Sequence, residues 1–184
     1  SVMDTTSSGT MFLHPERTIG RLDVKKGMTV ADFGAGSGFF TIALARLVGE
    51  SGKVYAIDIQ KFSLDLIKSK AHIENLLNIE TVWAALELPQ GSHLPAESVD
   101  LVVISNILFQ SEKKLEVMRE AYRVLKAQSR IAVIEWDETP FAGGPPAEMR
   151  IAKRAAQSLL GQAGFILDRE FEAGSHHYGL LYKK

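Results

Sequence analysis

The chain has 184 residues, 46% of them hydrophobic, which is enough for one compact domain with a sizeable core. Its 21 basic and 22 acidic residues leave a net charge of -1, so no overall field draws the chain to nucleic acid or to an anionic membrane. Cysteine is absent, which excludes disulfides, thiolate metal sites and attack through an enzyme thiol.

The first residues and the histidines show no targeting or metal-binding motif. The first residues, SVMDTTSSGT, lack the charged and apolar regions of a signal peptide, and no apolar run approaches the length of a membrane span. The five histidines do not follow a metal-binding spacing. We therefore expect a cytoplasmic protein with no metal site and no membrane partner, a flexible tail over residues 1–11 and a single domain over residues 12–184.

The first strong motif is VADFGAGSGFF, from Val30 to Phe40. An apolar strand is followed by three alternating glycines, Gly34, Gly36 and Gly38, which leave room for a ligand against the turning main chain. A helix is predicted over Phe39–Val48, and free amide hydrogens at its start can hold an anionic group. A dinucleotide site would need a small residue where this helix begins with phenylalanine, so the spacing disfavours a nicotinamide cofactor.

The second predicted strand, Lys53 to Ile59, places Asp58 about twenty residues beyond the glycine turn, where a ribose-binding acid is expected. A carboxylate at a strand end can accept hydrogen bonds from both ribose hydroxyls. Ile59 and Phe62 are candidates to pack against adenine, although Phe62 fits a place in the core equally well.

The rest of the chain alternates apolar strands with amphipathic helices. In chain order we predict a helix with Leu64, Ile67 and Ala71 on one face, a strand at Ile79–Trp83, a buried strand at Val99–Ile104, a helix with Leu115, Met118, Tyr122 and Leu125 on one face, a strand at Ile131–Trp136, a helix at Ala147–Ala163, and strands at Phe165–Phe171 and His177–Tyr182. Glu172–Ser175 is too short for a parallel crossover, so the last two strands must pair antiparallel.

The Gly-x-Gly-x-Gly turn resembles motif I of the class I S-adenosylmethionine-dependent methyltransferases. The runs Val99–Val102 and Glu120–Lys126 are similar to recurring phrases of the small group related to ubiquinone and menaquinone biosynthesis methyltransferases. The resemblance covers the chain from Phe12 onward. It implies an α/β fold of Rossmann-like type, with a seven-stranded, mostly parallel sheet, an antiparallel C-terminal hairpin whose last strand lies beside the fifth, and helices on both faces.

This resemblance also implies S-adenosylmethionine as the cofactor. The positions that match the binding motifs of the family are Asp32, Phe33, Gly34, Ala35, Gly36, Ser37, Gly38, Asp58, Ile59, Gln60, Ala85, Leu86, Asn106, Ile107 and Leu108. Asp32 is expected to support the amino group of the cofactor, directly or through water, or to lie behind the residues that do. No catalytic residue is assigned, because alignment of nucleophile, methyl carbon and sulfur asks little of side chains.

Three segments depart from the family pattern. The loop after the third strand reads Ala84-Ala85-Leu86 where an acid usually binds the adenine amino group, and Glu87 is a nearby substitute. The turn at Lys126–Ser129 has no glycine for a positive φ. The segment Asn106–Gln110 carries Phe109 where relatives often have a histidine, and its Asn106 is either a cofactor neighbour or a strand-end cap.

The end of the fifth strand offers candidates for acceptor chemistry. Conceivable bases, each also readable as an ordinary polar residue, are Glu135, Asp137, Glu138 and His176. The loop Thr139–Pro146 is either a lid or a plain connector, and Trp136 and Phe141 are expected to line an apolar acceptor pocket.

We therefore expect an S-adenosylmethionine-dependent methyltransferase that acts on an unidentified small molecule. The sequence does not indicate a nucleic-acid partner and does not set the oligomeric state. The main alternative is a degenerate methyltransferase fold that binds or scaffolds without catalysis, and a nicotinamide oxidoreductase is a distant third.

Overall fold

The computed structural model describes residues 14–108 and 110–184, so the tail expected over residues 1–11 and the residue Phe109 lie outside the described residues. The helices are α1 (Pro15–Ile19), α2 (Phe39–Val48), α3 (Lys61–Ile73), α4 (Lys114–Val124) and α5 (Lys153–Gln162). The strands are β1 (Thr29–Phe33), β2 (Lys53–Asp58), β3 (Ile79–Trp83), β4 (Val99–Ser105), β5 (Leu125–Trp136), β6 (Ile166–Phe171) and β7 (His177–Lys183).

The described strands form one seven-stranded sheet in the order β3-β2-β1-β4-β5-β7-β6. β1 pairs in parallel with both β2 and β4, so the strand order reverses between β1 and β4. β7 lies antiparallel between β5 and β6. The predicted Rossmann-like fold and its C-terminal hairpin are confirmed. In such sheets the ligand crevice forms beyond the carboxyl ends of the strands at the point of reversal.

Helices cover both faces of the sheet. α1, α2 and α3 pack on the face that carries Val30 and Val54, while α4 and α5 pack on the face that carries Ala31 and Val102. Successive residues of a strand point to opposite faces, which explains why strands covered on both sides are almost continuously apolar. Among the described residues, no helix combines the length and the apolar character that a bilayer span needs.

The helix predicted over Ala147–Ala163 is wrong in its first part. A short 3-10 helix occupies Ala147–Met149, and α5 begins at Lys153. Arg150 between them is extended, with φ -70° and ψ 144°. Its guanidinium donates hydrogen bonds to carbonyls of the preceding loop, those of Asp137, Thr139, Phe141 and Pro145. A continuous helix through Arg150 would turn the side chain away from these four acceptors.

The predicted apolar face of α4 is partly wrong. Met118 is fully buried, but Leu115 and Tyr122 are only partly buried, and Leu125 already belongs to β5. The helix is rotated so that its buried apolar residues are Val117, Met118, Ala121 and Val124. α4 ends at Val124 and β5 begins at Leu125, so Leu125 is buried as a strand residue and not on the face of the helix.

The missing glycine at Lys126–Ser129 does not remove the left-handed backbone from this segment. Gln128 adopts φ 69°, a conformation that costs a non-glycine residue about 1 kcal/mol. A non-glycine residue therefore adopts a positive φ here, in a segment that lies at the start of β5 and does not line the cavity.

A buried carboxylate joins α4 to the loop before β4. Glu120 accepts hydrogen bonds from the amide and the hydroxyl of Ser92, at 2.9 and 2.5 Å, and from Nε of Arg123 at 2.7 Å. Arg123 also donates to the carbonyl of Leu94. Although burial alone would raise it, the bonds from Arg123 and Ser92 lower the pKa of Glu120. The loop from β3 to β4 is thereby fixed against α4.

We expect Glu120→Ala to lower the free energy of unfolding by about 3 kcal/mol, because it leaves Arg123 and the Ser92 amide without their acceptor. The matched control is Glu116→Ala, which removes the exposed pair with Arg119 on the same helix and should cost less than about 0.5 kcal/mol. Urea denaturation measures both. Equal losses in the two variants would contradict the structural role of Glu120.

Candidate functional site

The glycine turn between β1 and α2 takes the conformation that its residues permit. Gly34, Gly36 and Gly38 have φ values of 76°, 54° and 85°, all in the left-handed region. A Cβ on Gly34 would lie 2.5 Å from Cγ2 of Ile107, so this glycine lets the turn after β4 approach the turn after β1. A Cβ on Gly36 would meet no described atom within 4 Å and would project into open space.

Asp58, at the end of β2, is bonded to this turn. Its Oδ2 accepts the amide hydrogen of Gly36 at 2.9 Å, and its Oδ1 accepts that of Gln60 at 2.8 Å. Each carboxylate oxygen can accept more than one hydrogen bond, so both keep capacity for a ligand. The two features that the sequence singled out, the glycines and the acid, therefore meet at one point.

A cavity of about 670 Å³ opens at the carboxyl ends of β1, β2 and β4. Eleven of the predicted cofactor positions line it, namely Gly34, Ala35, Gly36, Ser37, Asp58, Ile59, Gln60, Ala85, Leu86, Asn106 and Ile107. Four predicted positions do not: Asp32, Phe33, Gly38 and Leu108. The lining also includes residues that were not predicted as cofactor positions, namely Phe39, Phe40, Ser63, Ala84, Glu87, Leu88, Ser105, Gln110, Ser111 and Val117.

The four predicted residues that stand back from the cavity support its walls. Phe33 and Leu108 are fully buried in the core. Gly38 begins α2, where a Cβ would lie 2.8 Å from Cγ1 of Ile67 in α3, so it serves the packing of two helices. Asp32 is buried beneath the glycine turn and accepts a hydrogen bond from Thr41 of α2 at 2.7 Å.

The turn after β4 forms the opposite wall. The Asn106 amide donates to the carbonyl of Ile134 at 2.9 Å, and Asn106 has φ 55°. Its side-chain oxygen is buried and has no hydrogen-bond partner among the described residues, although Asn106 lines the cavity. An unpaired buried acceptor at a cavity wall is available to a donor on a ligand.

Comparison with known proteins decides the family. The family described as a methyltransferase domain matches residues 24–176. The chain belongs to the class I methyltransferases. A demethylmenaquinone methyltransferase from Geobacillus sp. is 31% identical over 129 residues, 70% of this chain and 53% of that protein. The ubiquinone/menaquinone biosynthesis C-methyltransferase UbiE of Escherichia coli K12 is 36% identical over 137 residues, 73% of this chain and 53% of that protein.

A solved structure agrees with this assignment over nearly the whole chain. A SAM dependent methyltransferase from Aquifex aeolicus has a TM-score of 0.86 and 28% identity, with 98% of each chain covered. The chain spans only about half the length of the curated relatives it matches. S-adenosylmethionine is thus the cofactor of the family, whereas the acceptors named for the longer relatives belong to those proteins.

The cavity of this methyltransferase fits S-adenosylmethionine in three respects. Gly36 leaves space where a side chain would stand against the ligand. Asp58 keeps lone pairs on both oxygens for a diol, as the ribose of the cofactor requires. The side-chain oxygen of Asn106 has no hydrogen-bond partner among the described residues, so it offers an acceptor for the cationic amino group of the cofactor.

Glu87 is the carboxyl group next to the loop after β3, where Ala84, Ala85 and Leu86 replace the acid that is expected to bind adenine. It lines the cavity, and its Oε1 accepts the hydroxyl hydrogen of Ser111 at 2.9 Å. The sequence indicated Glu87 only by its nearness to Ala85 and Leu86, and nothing in the pattern indicated Ser111. Their hydrogen bond joins the loop after β3 to the segment after β4, so a carboxylate does stand at this side of the cavity.

The described residues that line the cavity do not include any of the four candidate bases. The Glu135 side chain is fully buried below the turn after β4, and Asp137 accepts the amide hydrogen of Thr139. Trp136 and Phe141 do not line this cavity either, and their place in an acceptor pocket stays a prediction. Their rings stack on each other at 6.0 Å, and Phe141 also stacks on His176.

We expect Gly36→Ala to weaken the binding of S-adenosylmethionine about ten-fold or more, because its methyl group would project into the cavity. Gly49→Ala is the control: Gly49 also has a positive φ, of 68°, and open space around its Cβ among the described atoms, but it ends α2 away from the cavity. Gly36→Ala should lose about 1 kcal/mol of stability. Gly49→Ala should lose about 1–3 kcal/mol, because with ψ -172° Gly49 lies in a region that is almost restricted to glycine. Calorimetric titration that found equal affinities would refute the placement of the ligand against Gly36.

Asp32 makes the stability of the fold depend on pH. Burial raises its pKa from 3.8 to about 7, with the charge of Asp58 adding to this rise and the bond from Thr41 opposing it. Between these values the folded chain holds a proton that the unfolded chain has lost. The contribution of Asp32 is therefore complete below pH 3.8 and is lost as the pH rises to about 7, at roughly 1.4 kcal/mol per pH unit.

The Asp32→Asn variant has no proton to lose at this position. We expect its free energy of unfolding, relative to that of the unchanged chain, to rise from pH 4 to about pH 7 and then to level off. Denaturation at a series of pH values measures the difference. A constant difference would show that Asp32 ionises at the same pH in the folded and unfolded states.

Proposed function

We propose that this chain transfers the methyl group of S-adenosylmethionine to a small-molecule acceptor by in-line displacement. The observation that carries the proposal is the bond from the Gly36 amide to Asp58 at the edge of the cavity. It brings a diol-binding carboxylate and a side-chain-free stretch of main chain to the same wall. The proposed cofactor residues are the eleven predicted positions that line the cavity, with Asp32 behind them.

The chain contributes mainly alignment. When bound, S-adenosylmethionine supplies a methyl group made electrophilic by a sulfonium. Asp58 holds the ribose side, the glycine turn lies against the ligand, and Asn106 with Ile107 closes the opposite wall. Holding the two reactants in line makes their reaction effectively unimolecular, which can lower the activation barrier by several kcal/mol. No charged side chain has to take part in breaking the carbon–sulfur bond.

The lining favours an acceptor that gives up its proton easily. Apart from Asp58, the carboxyl group among the described lining residues is that of Glu87, which is already bonded to Ser111. Transfer to an acceptor that carries a hydrogen releases one proton, which here would pass to solvent or to Glu87. A carbon or hydroxyl group acidic enough to ionise without a strong base suits this arrangement. The printed name of one relative, a C-methyltransferase, is consistent with a carbon acceptor.

Charge and cavity size support a small acceptor. The chain carries a net charge of -1, which gives no general attraction for a polyanion. A cavity of about 670 Å³ lies in the range of small-molecule and cofactor sites. The alternative of a degenerate fold that only binds or scaffolds is opposed by the intact glycine turn, the placement of Asp58 and the open cavity.

The test is calorimetric titration of S-adenosylmethionine and S-adenosylhomocysteine into the chain, with NAD as the comparison ligand. We expect micromolar binding of both sulfur ligands and none of NAD. Asp58→Ala should weaken binding about 100-fold, since it removes two hydrogen bonds from a charged acceptor.

Asp100→Ala is the matched control. Asp100 also accepts a backbone amide hydrogen, that of Thr29, at 2.9 Å, but it lies at the start of β4, at the other end of the sheet. Its loss should lower stability and leave the affinity unchanged. If neither sulfur ligand binds the unchanged chain, the enzymatic proposal fails and the binding or scaffold alternative takes its place.

A further inference from the structure

We propose that Glu135 is a positioning residue for the cavity: its buried carboxyl group holds the backbone of Ile107 and Leu108, and so sets the wall that the turn after β4 presents to the cofactor. The ligand in this inference rests on the function proposed above. The contact between Glu135 and the turn does not depend on that function.

Glu135 lies near the end of β5, on the sheet face covered by α4 and α5. Its side chain is fully buried, and its Oε1 accepts the amide hydrogen of Leu108 at 2.7 Å. The backbone amides of Ile107 and Trp136 also lie near the carboxyl group and lower its pKa. Within the described part of the chain, the buried Oε2 has no hydrogen-bond partner.

The turn needs this acceptor because the strand ladder ends just before it. Ser105 pairs with Ile134, and the amide of Asn106 makes the next bond, to the carbonyl of Ile134. The chain then leaves the sheet, so the amides of Ile107 and Leu108 have no strand carbonyl to reach. Buried amides without acceptors are costly, and the carboxyl group of the neighbouring strand supplies the acceptor instead.

The position of this turn matters to the cavity through Ile107 and Asn106. Ile107 packs on Gly34 so closely that a Cβ on that glycine would lie 2.5 Å from Ile107 Cγ2. Asn106, with φ 55°, turns the chain between the strand and Ile107. A shift of the two anchored amides therefore moves a cavity wall that is in contact with the glycine turn.

The energetics argue for a role beyond stability. Placing a carboxyl group in the core is unfavourable, and burial raises the pKa of Glu135 to about 8 against the bonds from Leu108, Ile107 and Trp136. The bond to the Leu108 amide offsets only part of this cost. A carboxyl group that leaves one oxygen unsatisfied is better explained by the backbone geometry that it imposes at the cavity.

The test compares Glu135→Leu with Glu135→Gln. Leucine fills the space without an acceptor, whereas the glutamine carbonyl can still accept the Leu108 amide. We expect Glu135→Leu to lose hydrogen-exchange protection at the amides of Ile107 and Leu108 and to weaken S-adenosylhomocysteine binding about ten-fold. Glu135→Gln should retain the protection and bind within about two-fold of the unchanged chain.

Asn78→Ala separates positioning from general loss of stability. Asn78 donates to the carbonyls of Ala45 and Gly49, both at 2.8 Å, at the edge of the sheet opposite to the cavity. This variant should be less stable and should bind S-adenosylhomocysteine as tightly as the unchanged chain. If Glu135→Leu binds like Asn78→Ala and keeps the two amides protected, the proposal is overturned.

Two further outcomes are decisive. If Glu135→Leu does not fold, Glu135→Asp replaces it, because a carboxyl group withdrawn by one methylene should also expose the two amides and weaken binding. Unchanged protection in Glu135→Asp would overturn the proposal. If the unchanged chain binds neither sulfur ligand, the proposed function fails, and hydrogen exchange at Ile107 and Leu108 still decides whether Glu135 holds the turn.

Discussion

Backbone amides at the carboxyl ends of the central strands must find acceptors outside the sheet, and this constraint shapes the whole site. β1 and β4 are neighbours, and the chain leaves each of them by a turn at the same edge of the sheet. The amides of Gly34, Ala35 and Asn106 still reach carbonyls of the neighbouring strands. The amides that follow them have lost their ladder partners and cannot be buried unpaired. In this chain, side-chain carboxyl groups from the next strands out solve the problem on both sides.

The two solutions correspond closely. Asp58 at the end of β2 accepts the amide hydrogen of Gly36 in the turn after β1, and Glu135 near the end of β5 accepts that of Leu108 in the turn after β4. The difference lies in the surroundings. Asp58 lines the cavity and can serve a ligand as well, whereas Glu135 is sealed below its turn and serves only the backbone.

Much of this could be predicted because it depends on local pattern. The three glycines, the acid at the end of β2 and the short C-terminal hairpin are each readable within a few residues, and together they indicate one wall of the cavity and the antiparallel pairing of the last two strands. The place of the last strand beside the fifth came from the family resemblance. Asn106 and Ile107 could be placed only through the family resemblance. Phe109 lies outside the described residues, so the expectation for that position stays a prediction.

The remainder depends on contacts between distant segments, which periodicity does not encode. Glu87 and Ser111 meet across 24 positions, and Glu135 reaches Leu108 across 27. Leu108 and Gly38 occupy positions of the family motifs but do not line the cavity. Leu108 packs in the core, and Gly38 packs against Ile67. A motif therefore indicated which segments form the site more reliably than which side chains face the ligand.

The loop Thr139–Pro146 illustrates how a single side chain decides between two readings of a sequence. Its glycines and prolines suit either a lid or a connector. Arg150 donates to four carbonyls from Asp137 to Pro145, and its guanidinium lies 5.5 Å from the centre of the Trp136 ring. Opening the loop as a lid would break these bonds together and would also unstack Phe141 from Trp136. The contacts therefore favour a connector, in which Arg150 does for this loop what Asp58 and Glu135 do for the turns beside it, with donor and acceptor exchanged.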